Sequence, residues 1–481
     1  MHKLAMQPVS ASWTPDIRPA LPITSVCLGW LFVLCFTLPA RGGAWRMVRL
    51  ASFPAIVLLS LQLVLDRRMT LGNPLRDLAL PILAWTIICK AAEICIVFAP
   101  GGPRPIRPFH NSKLVTRIGE DYAAYEWKLV DPPKMASWGR VVYALDVFLL
   151  RRVGTSPIRP REGRALEWSL RGLNDWSRFL RQNRCNPAQI PAHSTVRRFG
   201  QPEMAFYAAV LQMLFAVVSL RWIHALSHPC QVFDIYGFWI PTSPASQKWI
   251  SLLPITAVKQ IRISGIPASA WKLPLPTLLF VVVTVGGAIC LLPSAAEGLS
   301  LLVWKPRPAT SFLAAFERPL TSPGLARLWA RSWHATSQRD YLAMASLLPG
   351  SRNRTLQLLY VFFWSGVQHS MMFARLRIPE GTRLTGRTVL GGMVDPGMVG
   401  FFLCQAVGIW IETAVVEALP ATWRKQRVLV SLARRAWMYA VLLVPGCMFV
   451  HSILQHRLIT SAVLDGFSPR ALALMLQGKA Y

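Results

Sequence analysis

Residues 78–99 read LALPILAWTIICKAAEICIVFA, with Lys90 and Glu93 as the only charged side chains. An α-helix needs about 20 mostly apolar residues to cross the hydrocarbon core of a bilayer. Lys90 and Glu93 stand at i and i+3, close enough to pair and so be buried at lower cost. The stretch is therefore expected to be a membrane span with a structural ion pair. Comparable runs lie at Leu21–Ala40, Val48–Leu65, Met204–Leu226, Leu275–Leu292, Leu356–Ala374, Met398–Leu419 and Trp437–His456. The expected fold is all-α: a polytopic membrane protein of about eight transmembrane helices over residues 1–481, with interfacial amphipathic helices in addition. Arg41 directly follows the first span, as in a retained anchor rather than a cleaved leader.

Composition agrees. Of the 481 residues, 53% are hydrophobic and 15% charged, against about 25% charged in ordinary soluble domains. That balance argues against a soluble enzyme and against disorder. The formal charge is +30, from 52 Lys and Arg against 22 Asp and Glu. The basic residues lie between apolar runs, so anionic lipid head groups are a more natural counter-charge than nucleic acid. The excess of Arg over Lys fits a phosphorylated ligand, and codon bias explains it equally well. Seven of the nine cysteines fall in apolar segments, and there is no C-x-x-C pair. They read as small buried hydrophobes, not as a disulfide framework or metal site.

Loop charges set the orientation. Arg41, Arg46 and Arg49, the long loop 100–203, the connection holding Lys305 to Arg354, and Arg424 to Arg435 are alternate connections. They are expected on one side, the cytosol. The other connections moderate the bias, with Arg67, Arg68 and Arg76, then Lys248, Lys259, Arg262 and Lys272, then Arg375, Arg377, Arg383 and Arg387. Within loop 100–203, Trp138–Leu150 is largely apolar, and Leu166–Leu180 has the pattern of an interfacial helix.

Two segments carry candidate chemistry. Residues 324–341 read GLARLWARSWHATSQRDY. As a continuous helix they would place Arg327, Arg331, His334 and Gln338 on one face. Two arginines four apart repel, and an anion over that face would relieve the repulsion. The alternative is a basic helix resting on lipid phosphates, with Trp329 and Trp333 at head-group depth. The other segment, residues 356–374, reads LQLLYVFFWSGVQHSMMFA and places His369 in a span. An ionisable residue there is a functional candidate. Ser365 and Gly366 beside it leave room for a substrate or for a closely packed helix. Glu412 and Glu417 are further acidic positions at the seventh span, lining a cavity or sitting at the interface. His224 and His228 form a lone H-x-x-x-H pair, too few ligands for an iron centre. Asp340 follows His334 at H-x5-D, one residue off the spacing of glycerol-phosphate acyltransferases.

At these two segments the chain resembles the wax synthase-like branch of the membrane-bound O-acyltransferase superfamily, and within it the fungal terpenoid and meroterpenoid O-acetyltransferases. The branch has a segment of the form F-W-G-R-R-W-H-Q. Here Leu328 to Ala335 keep its Trp329, Arg331, Trp333 and His334 and depart at Leu328, Ala330, Ser332 and Ala335. The branch's S-G-x-x-H matches Ser365-Gly366-Val367-Gln368-His369, and Arg152-Val153-Gly154-Thr155 is a weaker echo of its R-G-I-G-T. The resemblance implies a catalytic region over residues 300–390 and transfer of an acetyl group from acetyl-CoA, a co-substrate and not a bound cofactor, to a hydroxyl of a terpenoid-like secondary metabolite. His369 would be the general base and His334 a hydrogen-bond donor to the thioester. Arg331, Arg327, Arg339 and Trp333 would hold the donor, with no metal. It also implies the endoplasmic reticulum membrane. A long-chain wax ester synthase is the alternative within the class, since chain length depends on tunnel width. A transporter and a non-catalytic scaffold are the alternatives outside it; no internal repeat of the transporter kind is visible.

Overall fold

The computed structural model describes residues 16–66, 68–71, 77–110, 125–134, 137–149, 165–166, 232–233, 239–240, 322–333, 338–378, 385–446 and 448–449. Three long helices open the chain: α1 (Ala20–Thr37), α2 (Gly43–Leu65) and α3 (Ala79–Ala91), the last continued by a π-helical stretch, Ala92–Val97. Then come β1 (Pro105–His110), β2 (Tyr125–Leu129), helix α4 (Trp138–Leu149) and β3 (Ala165–Leu166). These strands form an antiparallel sheet of order β2-β1-β3, and β4 (Val232–Phe233) pairs with β5 (Trp239–Ile240). The short α5 (Leu325–Arg327) runs into a second π-helical stretch, Leu328–Trp333. The remaining helices are α6 (Gln338–Ala345), α7 (Arg354–Met372), α8 (Ala374–Arg377), α9 (Gly386–Met393), α10 (Pro396–Ala418), α11 (Ala421–Lys425) and α12 (Arg427–Leu443).

Among the described residues four helices are long and apolar enough to cross a membrane: Ala20–Thr37, Gly43–Leu65, Ala79–Val97 and Pro396–Ala418. They coincide with the first, second, third and seventh expected spans. The sixth is a 19-residue helix, α7, but Gln357, Gln368 and His369 lower its hydropathy, and it is absent from the four. The eighth is displaced: α12 begins ten residues early, at Arg427, and residues beyond 449 are outside those described. So are the expected spans Met204–Leu226 and Leu275–Leu292, and the interfacial helix over Leu166–Leu180 apart from Leu166 in β3. The all-α expectation needs correcting for the small sheets. The β1–β2 ladder begins within the Pro-rich stretch after α3, where Pro105 and Pro108 disfavour helix and suit extended backbone.

Helix α4 is not laid flat on the surface. Phe148 packs edge-on against Phe32 (6.3 Å between centroids), and Arg140 sits over Phe36. The helix therefore runs antiparallel alongside α1, burying Val142, Tyr143, Ala144 and Val147. Tyr143 Oη donates to the Pro103 carbonyl (2.9 Å), tying α4 to the end of α3.

Helix ends are closed by side chains that sequence pattern gives to loops or spans. Buried Arg49 donates to the carbonyls of Thr37 (3.1 Å), Ala40 (3.2 Å) and Ala99 (2.8 Å). Those are the last carbonyls of α1 and of the third span, which have no intrahelical partner. Arg375 does the same for α2, donating to Leu63 (2.8 Å), Asp66 (3.2 Å) and Met69. Asn353 caps α7 through Thr355 N (2.9 Å), and Asp395 caps α10 through Gly397 N (2.8 Å), with Pro396 in the first helical turn.

Helices α7 and α10 share the closest packing. A Cβ built on Gly366 would stand 2.7 Å from Val399 Cα. Backbone cannot yield as a side-chain tip can, so any side chain here separates the helices. The small residue beside His369 thus serves a packed helix. Gly366→Ala is expected to lower stability by about 1–3 kcal/mol, read as a lower melting temperature of the detergent-solubilised protein; an unchanged melt would show that α7 and α10 do not meet at Gly366.

Candidate active site

The segment 322–345 is held at two points by buried carboxylates on neighbouring helices. At its start, Glu412 of α10 accepts from the Leu325 N–H (2.8 Å) and the Ala326 N–H (3.4 Å). The other oxygen of Glu412 takes Arg434 Nε of α12 (2.6 Å). A Cβ on Gly324 would collide with that Glu412 oxygen and stand 2.8 Å from Arg434 Nη2, so a side chain here would displace the Glu412–Arg434 pair. Past the segment's middle, Glu93 of the third span pairs with Lys90 (2.6 Å) and with Arg339 of α6. Lys90 also donates to the Val147 carbonyl of α4 (3.1 Å), and the Arg339 guanidinium lies 5.6 Å from the Phe98 ring. The expected Lys90–Glu93 pair is therefore present, with a third member from the candidate motif.

Between these anchors the backbone is not a continuous α-helix. One turn at Leu325–Arg327 passes into the π-helical Leu328–Trp333, and α6 covers Gln338–Ala345. A π-helix bonds i to i+5, so the spacing around Arg327 and Arg331 departs from that of an α-helix, and His334 of the expected common face lies outside the described residues. The π stretch carries Trp329 inward. It is buried in the protein interior. Its Nε1 donates to Gln405 Oε1 (3.3 Å), and Gln405 Nε2 donates to the Val441 carbonyl (2.8 Å). The indole packs edge-on against Phe362 (5.4 Å), Phe402 (5.7 Å) and Phe401 (6.4 Å). Gln405 lies about 10 Å along α10 from Glu412, so the segment descends along α10 as it proceeds.

His369 is reached through the same aromatic group. Its ring lies 4.5 Å from Phe402, tilted by 33°, with Phe449 at 5.7 Å. Phe402 therefore touches both Trp329 and His369 and joins the two sequence motifs. His369 Nδ1 is 2.7 Å from the Ser365 carbonyl one turn back. A carbonyl oxygen only accepts, so Nδ1 carries the proton and Nε2 of the neutral ring keeps its lone pair. The end of α7 is fixed from below. Arg377 reaches Asp395 (2.7 Å), the Gly392 carbonyl (2.8 Å), and the Ser370 carbonyl and hydroxyl, while Asp395 N donates to Ser370 Oγ. On the opposite side of α7, Tyr341 Oη donates to Gln368 Oε1 and ties α6 to α7.

The sequence-derived candidates fare differently. His369 is in place beside Phe402. Arg327 is exposed on α5. Arg339 is engaged by Glu93. Arg331 and Trp333 belong to the π stretch, but their side chains, and all of His334, lie outside the described residues. Sequence reasoning missed Gln405, Phe402 and Arg434. Gln405 had a signal, a polar residue in an apolar span; Phe402 had none. Glu412 sits on the motif's backbone, and Glu417 is exposed. Among the described residues no group of three or more His, Cys, Asp or Glu is placed to hold a metal ion.

Residues 313–391 match the Membrane bound O-acyl transferase family. The matched stretch is less than a fifth of the chain, and it holds α5, the π stretch, α6, His369 and Arg377. The match supports the membrane-bound O-acyltransferase superfamily and, with the apolar helices, an integral membrane protein with acyltransferase activity. No curated protein and no solved structure matches the chain.

Glu412→Ala is expected to cost about 2–4 kcal/mol, because it leaves Arg434 and two motif N–H groups without their acceptor. Glu412→Gln, which keeps an oxygen for the N–H groups, should cost less. Paired melting curves of the two variants test this; equal losses would show that the backbone contacts add nothing to the ion pair.

Proposed function

We propose that the protein is a membrane O-acyltransferase that carries an acetyl group from acetyl-CoA to a hydroxyl of a terpenoid-like molecule, with His369 as general base. The observation that carries the reading is the Nδ1–Ser365 hydrogen bond, which leaves Nε2 of a neutral imidazole as the basic atom in the family-matched segment. The acceptor hydroxyl gives its proton to Nε2 as its oxygen attacks the thioester carbon. The tetrahedral intermediate expels the thiolate, which takes the proton back from the imidazolium. The products are an acetate ester and free coenzyme A, and His369 is again neutral. The developing oxyanion needs a donor, the role assigned to His334.

The position of His369 suits a division of substrates. It is near the end of α7 that adjoins Arg375, about 22 Å of helix from Arg354. The coenzyme's phosphates stay at the arginine-rich end, and only its long thioester arm descends. Arg331 and Arg327, with Trp333, are the first candidates to hold the donor, since Arg339 must first leave Glu93 to bind a phosphate. Arg–phosphate bonds are of the strong, charge-assisted kind. The apolar acceptor enters from the bilayer, in the endoplasmic reticulum membrane.

The test is transfer from labelled acetyl-CoA in microsomes to a panel of hydroxylated terpenoids, with long-chain acyl donors run alongside. His369→Ala is expected to lower the rate by about 10²–10⁴-fold at equal protein level. Undiminished transfer in the variant would remove His369 as base. Transfer only from long-chain donors would replace acetylation by wax ester synthesis.

A further inference from the structure

The buried cations described above share a property. Arg49 has three carbonyl acceptors, Lys90 a carboxylate and a carbonyl, Arg375 three carbonyls, and Arg377 a carboxylate and two carbonyls. Arg140, in the first turn of α4, does not share it. It is only 3% exposed, yet its Nε and Nη1 are buried without an acceptor among the described residues. The Phe36 ring stands 6.0 Å from the guanidinium carbon. A ring face attracts the cation but accepts none of its in-plane N–H groups. A guanidinium does not shed its charge, and a buried charge without a partner costs several kcal/mol. The oxygens of an anion would accept from the Nε–H and Nη1–H groups.

The surroundings agree on the ligand's sign. Arg140 lies where the C-terminal ends of α1 and the third span meet the start of α4, the end that Arg49 ties together. Arg41, Arg46 and Arg104 are exposed at this same end. Arg41 lies against Gly101, and the adjacent Gly102 is packed so tightly between Leu38 and Tyr143 that it has no room for a side chain. Exposed arginines at this end suit an anion rather than a cation, and arginine is the side chain that meets phosphate oxygens best.

We propose that Arg140 anchors a phosphate-binding site at the mouth between α1, the end of the third span and α4. The phosphate belongs to a coenzyme or to an anionic lipid head group; the site chemistry is the same for both. The coenzyme source rests on the acyl-transfer reading, and the lipid source does not.

The test uses the full-length chain in detergent, freed of bound lipid, and thermal unfolding with four probes. Coenzyme A is compared with pantetheine, which has no phosphate, and phosphatidylglycerol with diacylglycerol, which has none. Stabilisation by coenzyme A or by phosphatidylglycerol, but not by its phosphate-free counterpart, is expected. The apparent Kd for that probe should weaken by at least about tenfold in Arg140→Met. Which probe stabilises identifies the source. If Arg140→Met does not fold, Arg140→Lys carries the test: it keeps the charge, and weakened binding at an unchanged ligand-free melting temperature supports the site. No phosphate-dependent stabilisation of the wild type, or equal stabilisation of the variants, would overturn it. The His369→Ala transfer assay reports on acyl transfer separately, so loss of either reading is recognised without the other.

Discussion

Helices that end in an apolar surround leave carbonyls that must find donors, and this structure answers that constraint with buried arginines. Arg49 gathers the last carbonyls of α1 and of the third span on one guanidinium. Arg375 closes α2 from 300 residues further along the chain. Unmade hydrogen bonds cost more in such an interior than in water, so each arginine fixes the relative height of the helices it bridges. The packing of α4 on α1, and of α6 and α7 on the third span, then follows from helices already in register.

The same logic fixes the candidate active site. Glu412 and Glu93 hold the two sides of the segment that runs from α5 to α6. Between them the π-helical turn brings Trp329 to Gln405 and to the Phe402 ring. Phe402 in turn sets the plane of His369, whose Nδ1 is committed to Ser365. A base whose tautomer and ring plane are set beforehand need not reorganise during proton transfer, which is how positioning contributes to rate. None of these supports is a reacting group, yet each restrains one.

The strong basic excess divides into two populations. Some arginines, such as Arg41 and Arg46, are exposed where head groups or phosphates can meet them. Others are internal fittings: Arg49, Arg375, Arg377 and Arg434 each serve a backbone carbonyl or a carboxylate. Arg375 and Arg377, which blur the charge bias between loops, are of the internal kind. They are not free to follow the rule that assigns basic loops to one side of the membrane.

Length and hydropathy alone were enough to reveal a helical membrane protein, because a span must satisfy its backbone internally and so leaves a run of about 20 apolar residues in one stretch of sequence. The Lys90–Glu93 pair was legible for a similar reason, being three residues apart on one helix. His369 was legible as an ionisable group in a span. The roles of Phe402, Gln405 and Arg434 were not, because each acts across a helix interface on residues tens of positions away, and periodicity carries no information about which faces meet. The 324–341 pattern read as one regular helix, since intrinsic spacing cannot anticipate a π-turn imposed by the pull of Glu412 at one end and Gln405 further in. Local chemistry decided which segments enter the membrane; long-range partners decided which side chains face one another inside it.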